Sequence, residues 1–462
     1  MQKIVQKVTL TQDENLSFKI SQQLLPLDHQ QIDLYFSLPN EMGINPSTLN
    51  EEQYFYSSIK SHSAYYSAQL HLPLVRSRYI SQQKGEQTGY RLNLNLFSYQ
   101  IKVALDTDIK QVLQAKTAED IYPHALQIAE ETIGLLKKLR RYTPSDKKLS
   151  PFFENADNYL SWHVEQSFLK LLAKAPKSSD FNNERQFLLD LCRHENNYRL
   201  EKQYNSPTTL NDPNRITNKM RLLQRLIEYG VVFQKKTKNL NTQLKRLVRG
   251  SITAVIMAFV MMLVLNARTT FTEVTIALVA LLGVIYGLRE IFKEDLTRLI
   301  WRKIQQGLPK WQNIFKHTVN QSRIATQTIW LEYIKEKRLP REVYNLFQKR
   351  RQQNKQAAQL LHFRSSSRVL VKAFLPGYDE IQLQTIFNLT PFVRYLKKGE
   401  GRLYRLENNK ITSQAVERRY QINLVLVQTD KKKQQSLQRF KITLNRSGIV
   451  NIEAMRIVEA NE

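Results

Sequence analysis

The sequence contains few of the residues on which metal, redox and nucleotide chemistry usually depends. Its 462 residues include one cysteine, eight histidines and 13 glycines. The single Cys192 cannot form a disulfide within the chain, which favours a reducing compartment. No Gly-rich phosphate loop of the GxxxxGK[ST] or GxGxxG kind occurs, and this argues against nucleotide binding by those routes. We therefore expect no cofactor and no bound metal.

Three short motifs resemble chemical sites, but each lacks a necessary part. His194-Glu195-Asn196-Asn197-Tyr198 begins like a zinc-protease helix, but Tyr198 stands where the second histidine is required. Cys192 lies two residues before His194, so on a helix their side chains point in different directions. Asp106-Thr107-Asp108 has the spacing of a two-carboxylate cation site, although a solvated helix face is the simpler interpretation. We predict no catalytic residue from these motifs.

The amino-terminal MQKIVQKVTL has no apolar core of signal-peptide length. The long apolar segments lie in the middle of the chain instead, at Ser251–Ala267 and Val274–Leu288, and neither contains a charged residue. The first would span about 25 Å as a helix, close to the ~30 Å of a hydrocarbon core. We therefore predict a transmembrane hairpin over residues 251–288, with helices at 251–267 and 272–288, that directs its own insertion. A buried hairpin in a soluble core is the alternative, but such helices rarely stay apolar on every face.

Positive charge is concentrated around these apolar segments. The chain has a net charge of +28, of which +21 falls within residues 206–372. Lysines and arginines flank both outer ends of the hairpin, whereas Arg268 is the only cation between its two apolar segments. The positive-inside rule then predicts a multi-pass protein of the inner (plasma) membrane with both termini in the cytoplasm. No nucleic-acid-binding module is recognisable, so we do not expect a nucleic-acid partner.

Two sets of residues are candidates for a functional role at the membrane. Juxtamembrane cations are attracted to anionic headgroups, and those expected to contact lipid are Lys245, Arg246, Arg249, Arg289, Lys293, Arg298, Arg302 and Lys303. Small residues spaced by four let helices approach closely, and those expected at a helix contact are Ala254, Ala258, Gly283 and Gly287. Packing within one hairpin and packing between subunits of a homo-oligomer are both compatible with this spacing.

The expected fold class is an integral membrane protein in which the hairpin separates two cytoplasmic domains. Residues 1–205 should form a mainly helical domain with a small β element, and residues 311–462 an α+β domain. A basic juxtamembrane helix (206–250) and a basic amphipathic helix (289–310) should connect them to the hairpin. The segment Tyr90–Ala115 fits both strand and helix patterns, and its length favours a helix. The aromatic residues within Tyr54–Tyr66 are expected to fill a core rather than to bind a ligand.

These features predict a membrane-anchored scaffolding, interaction or regulatory protein that presents its cytoplasmic parts at the inner membrane surface. Its expected partners are anionic lipid headgroups and a protein that the sequence does not identify. The alternative is a membrane-bound enzyme whose active site is dispersed through the N-terminal region.

Overall fold

The computed structural model describes residues 8–66, 87–115, 117–141, 143–176, 178–270, 276–305, 307–318, 320–351, 358–375, 378–394, 396, 400–407, 410–431 and 434–459. Its helices are α1 (Glu51–Ser58), α2 (Gln87–Val112), α3 (Ala118–Arg141), α4 (Ser150–Lys174), α5 (Asn182–Glu201), α6 (Pro207–Leu210), α7 (Pro213–Glu228), α8 (Asn241–Thr270), α9 (Ile276–Gln305), α10 (Arg341–Arg351) and α11 (Thr390–Val393).

The strands are β1 (Thr9–Gln12), β2 (Ser17–Leu24), β3 (His29–Pro39), β4 (Ile59–Tyr66), β5 (Gln234–Asn239), β6 (Trp311–Lys316), β7 (Arg323–Ile334), β8 (Ala358–Val369), β9 (Glu380–Asn388), β10 (Glu400–Glu407), β11 (Lys410–Glu417), β12 (Tyr420–Thr429), β13 (Gln435–Leu444) and β14 (Ile449–Glu459). They form an eight-stranded sheet in the order β14-β13-β12-β3-β8-β7-β6-β5, a four-stranded sheet in the order β1-β2-β9-β4, and the pair β10-β11.

Strand β3 is central to the larger sheet, where it lies between β8 and β12. Its sequence alternates, so that Ile32, Leu34 and Phe36 face inward while Asp33 and Tyr35 face outward. Tyr35 pairs with His362 of β8 on one side and with Val425 of β12 on the other. The register therefore joins the beginning of the chain to two strands near its end.

The two larger sheets pack face to face around an aromatic core. The ring of Phe387 in β9 lies 5.1 Å from that of Phe18 in β2 and 5.9 Å from that of Phe36 in β3. Phe363 of β8 meets Phe387 edge-on at 4.9 Å. Each such fully buried ring contributes roughly 2 kcal/mol through the hydrophobic effect, so this layer helps to hold the two sheets together.

Helices α2, α3, α4, α5 and α7 form a bundle that shares a second core with one end of the sandwich. Leu105, Leu136 and Leu160 are fully buried there, in the same cluster as Phe315 of β6 and Ile381 of β9. The short helix α10 covers the outer face of the eight-stranded sheet, where Val343 and Phe347 cover Tyr35 and its neighbours. The bundle and the sheets therefore form one connected structure.

The predicted fold class, a two-helix transmembrane hairpin between two cytoplasmic domains, is wrong. Among the described residues one helix, α8, has a stretch long and apolar enough to cross a membrane, Leu244–Asn266, and most of this stretch is exposed. The apolar part of α9 that the structure describes, Ile276–Leu288, spans only about 20 Å before charged residues begin. The regions on either side of these helices are not separate domains either, because β2, β3 and β4 pair with β9, β8 and β12.

Local helix predictions did better than long-range ones. Tyr90–Ala115 does lie mostly in a helix, α2. Of the aromatic residues expected to fill a core, Tyr54, Phe55 and Tyr65 are buried, whereas Tyr56 is 56% exposed. The basic helix expected over residues 206–250 is instead broken into α6, α7, strand β5 and the start of α8. Residues 289–305 are helical, as the C-terminal part of α9.

Candidate functional site

The apolar segment of α8 is exposed on most of its circumference. Val255 is 68% exposed, Phe259 62% and Met262 70%, and these positions lie on one broad face of the helix. Ile252 and Val260 of the same helix are buried, and α8 packs against α9. A water-soluble protein rarely leaves an apolar surface of this extent uncovered.

The chain around the base of α8 and α9 is firmly attached to the sheet. The Leu240 N–H donates to the Lys310 carbonyl at 2.9 Å, and the Trp330 indole N–H donates to the Gly307 carbonyl at 3.0 Å. Gly307 has a φ of +81°, a conformation that glycine adopts without strain, so the chain turns sharply after α9. The ring of Trp311 stacks on that of Phe55 at 4.0 Å. Helices α8 and α9 therefore project from a firmly held part of the sheet, which we call the platform. It consists of Leu240, Gly307, Lys310, Trp311 and Trp330.

The predicted lipid-contacting cations lie at the platform end of this projection. Lys245, Arg246 and Arg249 are exposed in the first turns of α8. In α9, Arg289 donates to the Met257 sulfur of α8 at 3.4 Å, while Lys293 pairs with Glu290 at 3.1 Å. The side chains of Arg298 and Lys303 are exposed, and that of Arg302 lies outside the described part of the chain.

The four small residues predicted at a helix contact lie at the surface of the described parts of α8 and α9. Ala254, Ala258, Gly283 and Gly287 are all exposed. A Cβ atom added at either glycine would have no neighbour within 4 Å. Packing between subunits through these residues stays a prediction.

A pocket on the outer face of the eight-stranded sheet lies beside this platform. Its cavity volume is about 190 Å³. Charged and aromatic side chains dominate its lining, which consists of Tyr35, Gly307, Trp330, Glu332, Ile334, Arg338, Pro340, His362 and Arg364. It therefore adjoins both the end of α9 and the start of α10.

His362 lines this pocket and is buried together with the adjacent carboxylate of Asp33. The Nε2 atom of His362 lies 2.8 Å from Asp33 Oδ1, and its Nδ1 atom lies 3.9 Å from Glu332 Oε1. The Arg364 Nε–H donates to the same Asp33 oxygen at 2.6 Å. Tyr35 stacks flat on the imidazole with a centroid distance of 4.4 Å. The imidazole is thus held in one orientation between two acids.

These contacts shift the pKa values in the directions expected of an ion-paired cluster. Burial by itself lowers the pKa of His362, but its hydrogen bond with Asp33 and the nearby carboxylate of Glu332 raise it above the usual value. Burial by itself raises the pKa of Asp33, but His362 and Arg364 lower it below its usual value. Burial, with the nearby Asp33 charge, raises the pKa of Tyr35 to about 12. The pocket therefore favours a protonated histidine beside an ionised aspartate.

This cluster was not predicted from the sequence. The sequence contained one weak indication of it. His362 and Arg364 are two residues apart in one strand, so their side chains lie on the same face of the sheet. The partner Asp33 lies more than 300 positions away, and only the pairing of β3 with β8 brings it close.

The motifs considered for catalysis are dispersed through the helical bundle. Cys192 is buried, where its thiol donates to the Glu165 carbonyl at 3.7 Å, while His194 is exposed on the same helix. Asp106 pairs with His163 at 3.0 Å and with Lys102 at 2.9 Å. No group of three or more metal-binding side chains is found in the part of the chain that the structure describes.

Glu195 belongs instead to a buried ionic network. The Arg140 guanidinium donates to Glu195 Oε2 at 2.7 Å and to Asp157 Oδ1 at 3.0 Å. The hydroxyls of Tyr198 and Tyr204 both donate to Asp157 Oδ2 at 2.8 Å. Every acid in this cluster has a partner. The network therefore holds helices α3, α4 and α5 together.

Comparisons with protein-family models, with curated proteins and with solved structures found no match to this chain.

Proposed function

We propose that this protein is a membrane-associated scaffolding or interaction protein, held at a bilayer by the apolar segment of α8. The observation that carries the proposal is the exposure of that segment, where the described part of the chain leaves most of the surface of Val255, Phe259 and Met262 exposed. Moving such side chains out of water into lipid is favourable by about 25 cal/mol per Å² of apolar surface.

The distribution of charge supports the same arrangement. Lys245, Arg246 and Arg249 precede the apolar segment and lie between it and the sheet. Cations at that position can contact anionic headgroups while the apolar segment enters the lipid, each with a gain of about 1 kcal/mol. The positive-inside rule then places the sheets and the helical bundle on the cytoplasmic face of the inner (plasma) membrane.

The fold adds a physical constraint to this proposal. Strands from both ends of the chain share the eight-stranded sheet, which a bilayer cannot divide without breaking backbone hydrogen bonds. All of the sheet and the bundle joined to it must therefore lie on one side of the membrane. A large surface with one orientation towards the cytoplasm suits a protein that binds partners there.

Membrane association can be tested by synthesising the full chain without cells in the presence of liposomes and measuring co-flotation. Phe259→Arg should sharply reduce flotation, because a charge at the centre of a membrane helix costs about 3 kcal/mol. Leu222→Arg is the matched control, since Leu222 is 56% exposed but lies on α7 of the bundle. Equal flotation of both variants, or none of the wild-type chain, would contradict the proposal.

An enzyme is the second candidate, and the pocket around His362 favours it. A histidine oriented by two carboxylates can transfer protons. Thermal-shift screening with small polar metabolites tests this function. A ligand that stabilises the wild-type chain but not His362→Gln would support it, and the absence of any such ligand would count against it.

A further inference from the structure

The hairpin formed by β10 and β11 carries an apolar tip that no other part of the described chain covers. Leu406 is 71% exposed, Ile411 77% and Tyr404 64%. Leu406 and Ile411 are directly paired across the two strands, and Tyr404 pairs with Ser413 two positions further from the tip. Paired residues share a face of the hairpin, so these three apolar side chains form one patch.

This hairpin pairs with no other strand among the described residues. An isolated two-stranded hairpin is marginally stable in water at best. Its base is nevertheless attached to the sandwich, because Arg418 pairs with Glu41 at 2.9 Å and Glu417 accepts a hydrogen bond from Asn445. The apolar patch is therefore held away from the sandwich on an anchored stem.

The register of the eight-stranded sheet shows where this stem is attached. Asn239, Trp311, Ile329, Ser365, Ile32 and Gln428 form one row across the sheet. Strand β5 runs towards Asn239 and continues into α8, while β12 begins at Tyr420 on that same side of the row. The hairpin and the apolar helix therefore leave the sheet at the same end.

We propose that the tip of this hairpin, Tyr404, Leu406 and Ile411, is a second membrane contact that dips into the interface of an anionic bilayer. The proposal rests on the membrane association of α8. Charge supports lipid as the occupant, because the exposed Arg402 and Arg405 lie next to the patch and the exposed Arg419 lies at the base. Tyr404 adds an aromatic side chain of the type enriched at the level of the headgroups.

Two membrane contacts at one end would fix the orientation of the sandwich relative to the bilayer. A single helix leaves the protein free to rotate about that helix, whereas a second contact removes this freedom. The effective concentration of the tip near the lipid would also be high once α8 is inserted, so that a weak interaction suffices.

The test uses the full chain with Cys192→Ala and one new cysteine that carries an environment-sensitive fluorophore. The cysteine replaces Leu406 at the tip, Val416 near the base of the same hairpin, or Leu200 on the helical bundle. Vesicles contain phosphatidylcholine alone or with phosphatidylglycerol. With anionic vesicles we expect a blue shift at position 406, a smaller one at 416 and none at 200. Ile411→Asp should abolish the shift at 406 without reducing flotation.

The outcomes separate this proposal from the proposed function. If the protein floats with anionic vesicles but position 406 shows no shift, the hairpin contact is wrong and the role of α8 stands. If the protein does not float, both are wrong. A shift that appears without vesicles and increases with protein concentration would assign the patch to a second copy of the chain and overturn the lipid contact.

Discussion

Removing the guanidinium of Arg140 should destabilise the helical bundle far more than removing a surface arginine. Arg140 in α3 is the shared partner of Asp157 in α4 and Glu195 in α5. The side chain of Asp157 is fully buried and that of Glu195 is 3% exposed. Arg140→Met fills a similar volume but leaves both carboxylates without their cation.

The expected loss follows from the desolvation of these two acids. Breaking a buried ion pair by deleting one partner costs about 3–5 kcal/mol, because an uncompensated charge stays in a medium of low dielectric. The hydroxyls of Tyr198 and Tyr204 still donate to Asp157, which places the loss nearer the lower end, at about 3 kcal/mol. The face of Tyr198, only 3.7 Å from the guanidinium carbon, also loses a cation–π contact.

Urea unfolding of the full chain in detergent, followed by circular dichroism at a helical wavelength, measures this loss. Arg193→Met is the matched control, because Arg193 also pairs with an acid of α5, but both side chains are more than half exposed. Exposed pairs contribute about 0–1 kcal/mol. Combining Arg140→Met with Asp157→Asn and Glu195→Gln should restore part of the stability, since no buried charge then lacks a partner. Equal effects of the two methionine variants would refute the electrostatic explanation.

Other predictions concern folding, pH, thiol reactivity and lipid charge. A chain ending at residue 205 should leave β3 without both of its partner strands, β8 and β12, and hydrogen exchange should show no protection of residues 29–39. Folding raises the pKa of His362 above its unfolded value near 6.5. The protonated His362 therefore stabilises the fold fully below pH 6.5, and this stabilisation is lost as the pH rises through the pKa of His362 in the folded state. Folding lowers the pKa of Asp33, so the stabilisation that its carboxylate contributes is present above pH 3.8 and is lost as the pH falls below that value. His362→Gln should therefore reduce the thermal midpoint most between about pH 4 and 6, with a smaller loss at alkaline pH. Burial raises the pKa of the Cys192 thiol to about 11, so alkylation at neutral pH should be slow until urea unfolds the chain. Changing Lys293, Arg298, Arg302 and Lys303 to Gln should weaken binding to anionic vesicles and reduce its salt dependence, because each cation near the surface contributes about 1 kcal/mol; unchanged binding would remove these residues from the lipid contact.

The local features of this fold could be predicted from the sequence because they depend on neighbouring residues. The segment predicted as a helix at Tyr90–Ala115 corresponds to α2, since apolar residues recur there at helical spacing. The exposed apolar segment of α8 was equally visible as an uncharged run. The sequence did not predict which residues pack against these segments.

The pairing of strands could not be predicted, because alternation fixes the face of a residue but not its neighbour. Strand β5 has the sequence QKKTKN, with no apolar alternation, and exists through its pairing with β6. The pairing of β3 with β8 and β12 joins residues that are hundreds of positions apart. The error in the predicted domains and the missed Asp33–His362 pair both came from this long-range register.

The central position of β3 has a consequence for the time at which the sandwich can form. His29 pairs with Arg368, and at a synthesis rate of about 5–20 residues per second the later strand is made roughly 20–70 s after the earlier one. During this interval the inward face of β3, with Leu34 and Phe36, has no partner from β8 or β12. The apolar segment of α8 is synthesised within the same interval, before the sheet can close. The nascent chain therefore exposes two apolar surfaces together, and rapid entry of α8 into lipid, or capture of β3 by a chaperone, would decide whether the chain folds or aggregates.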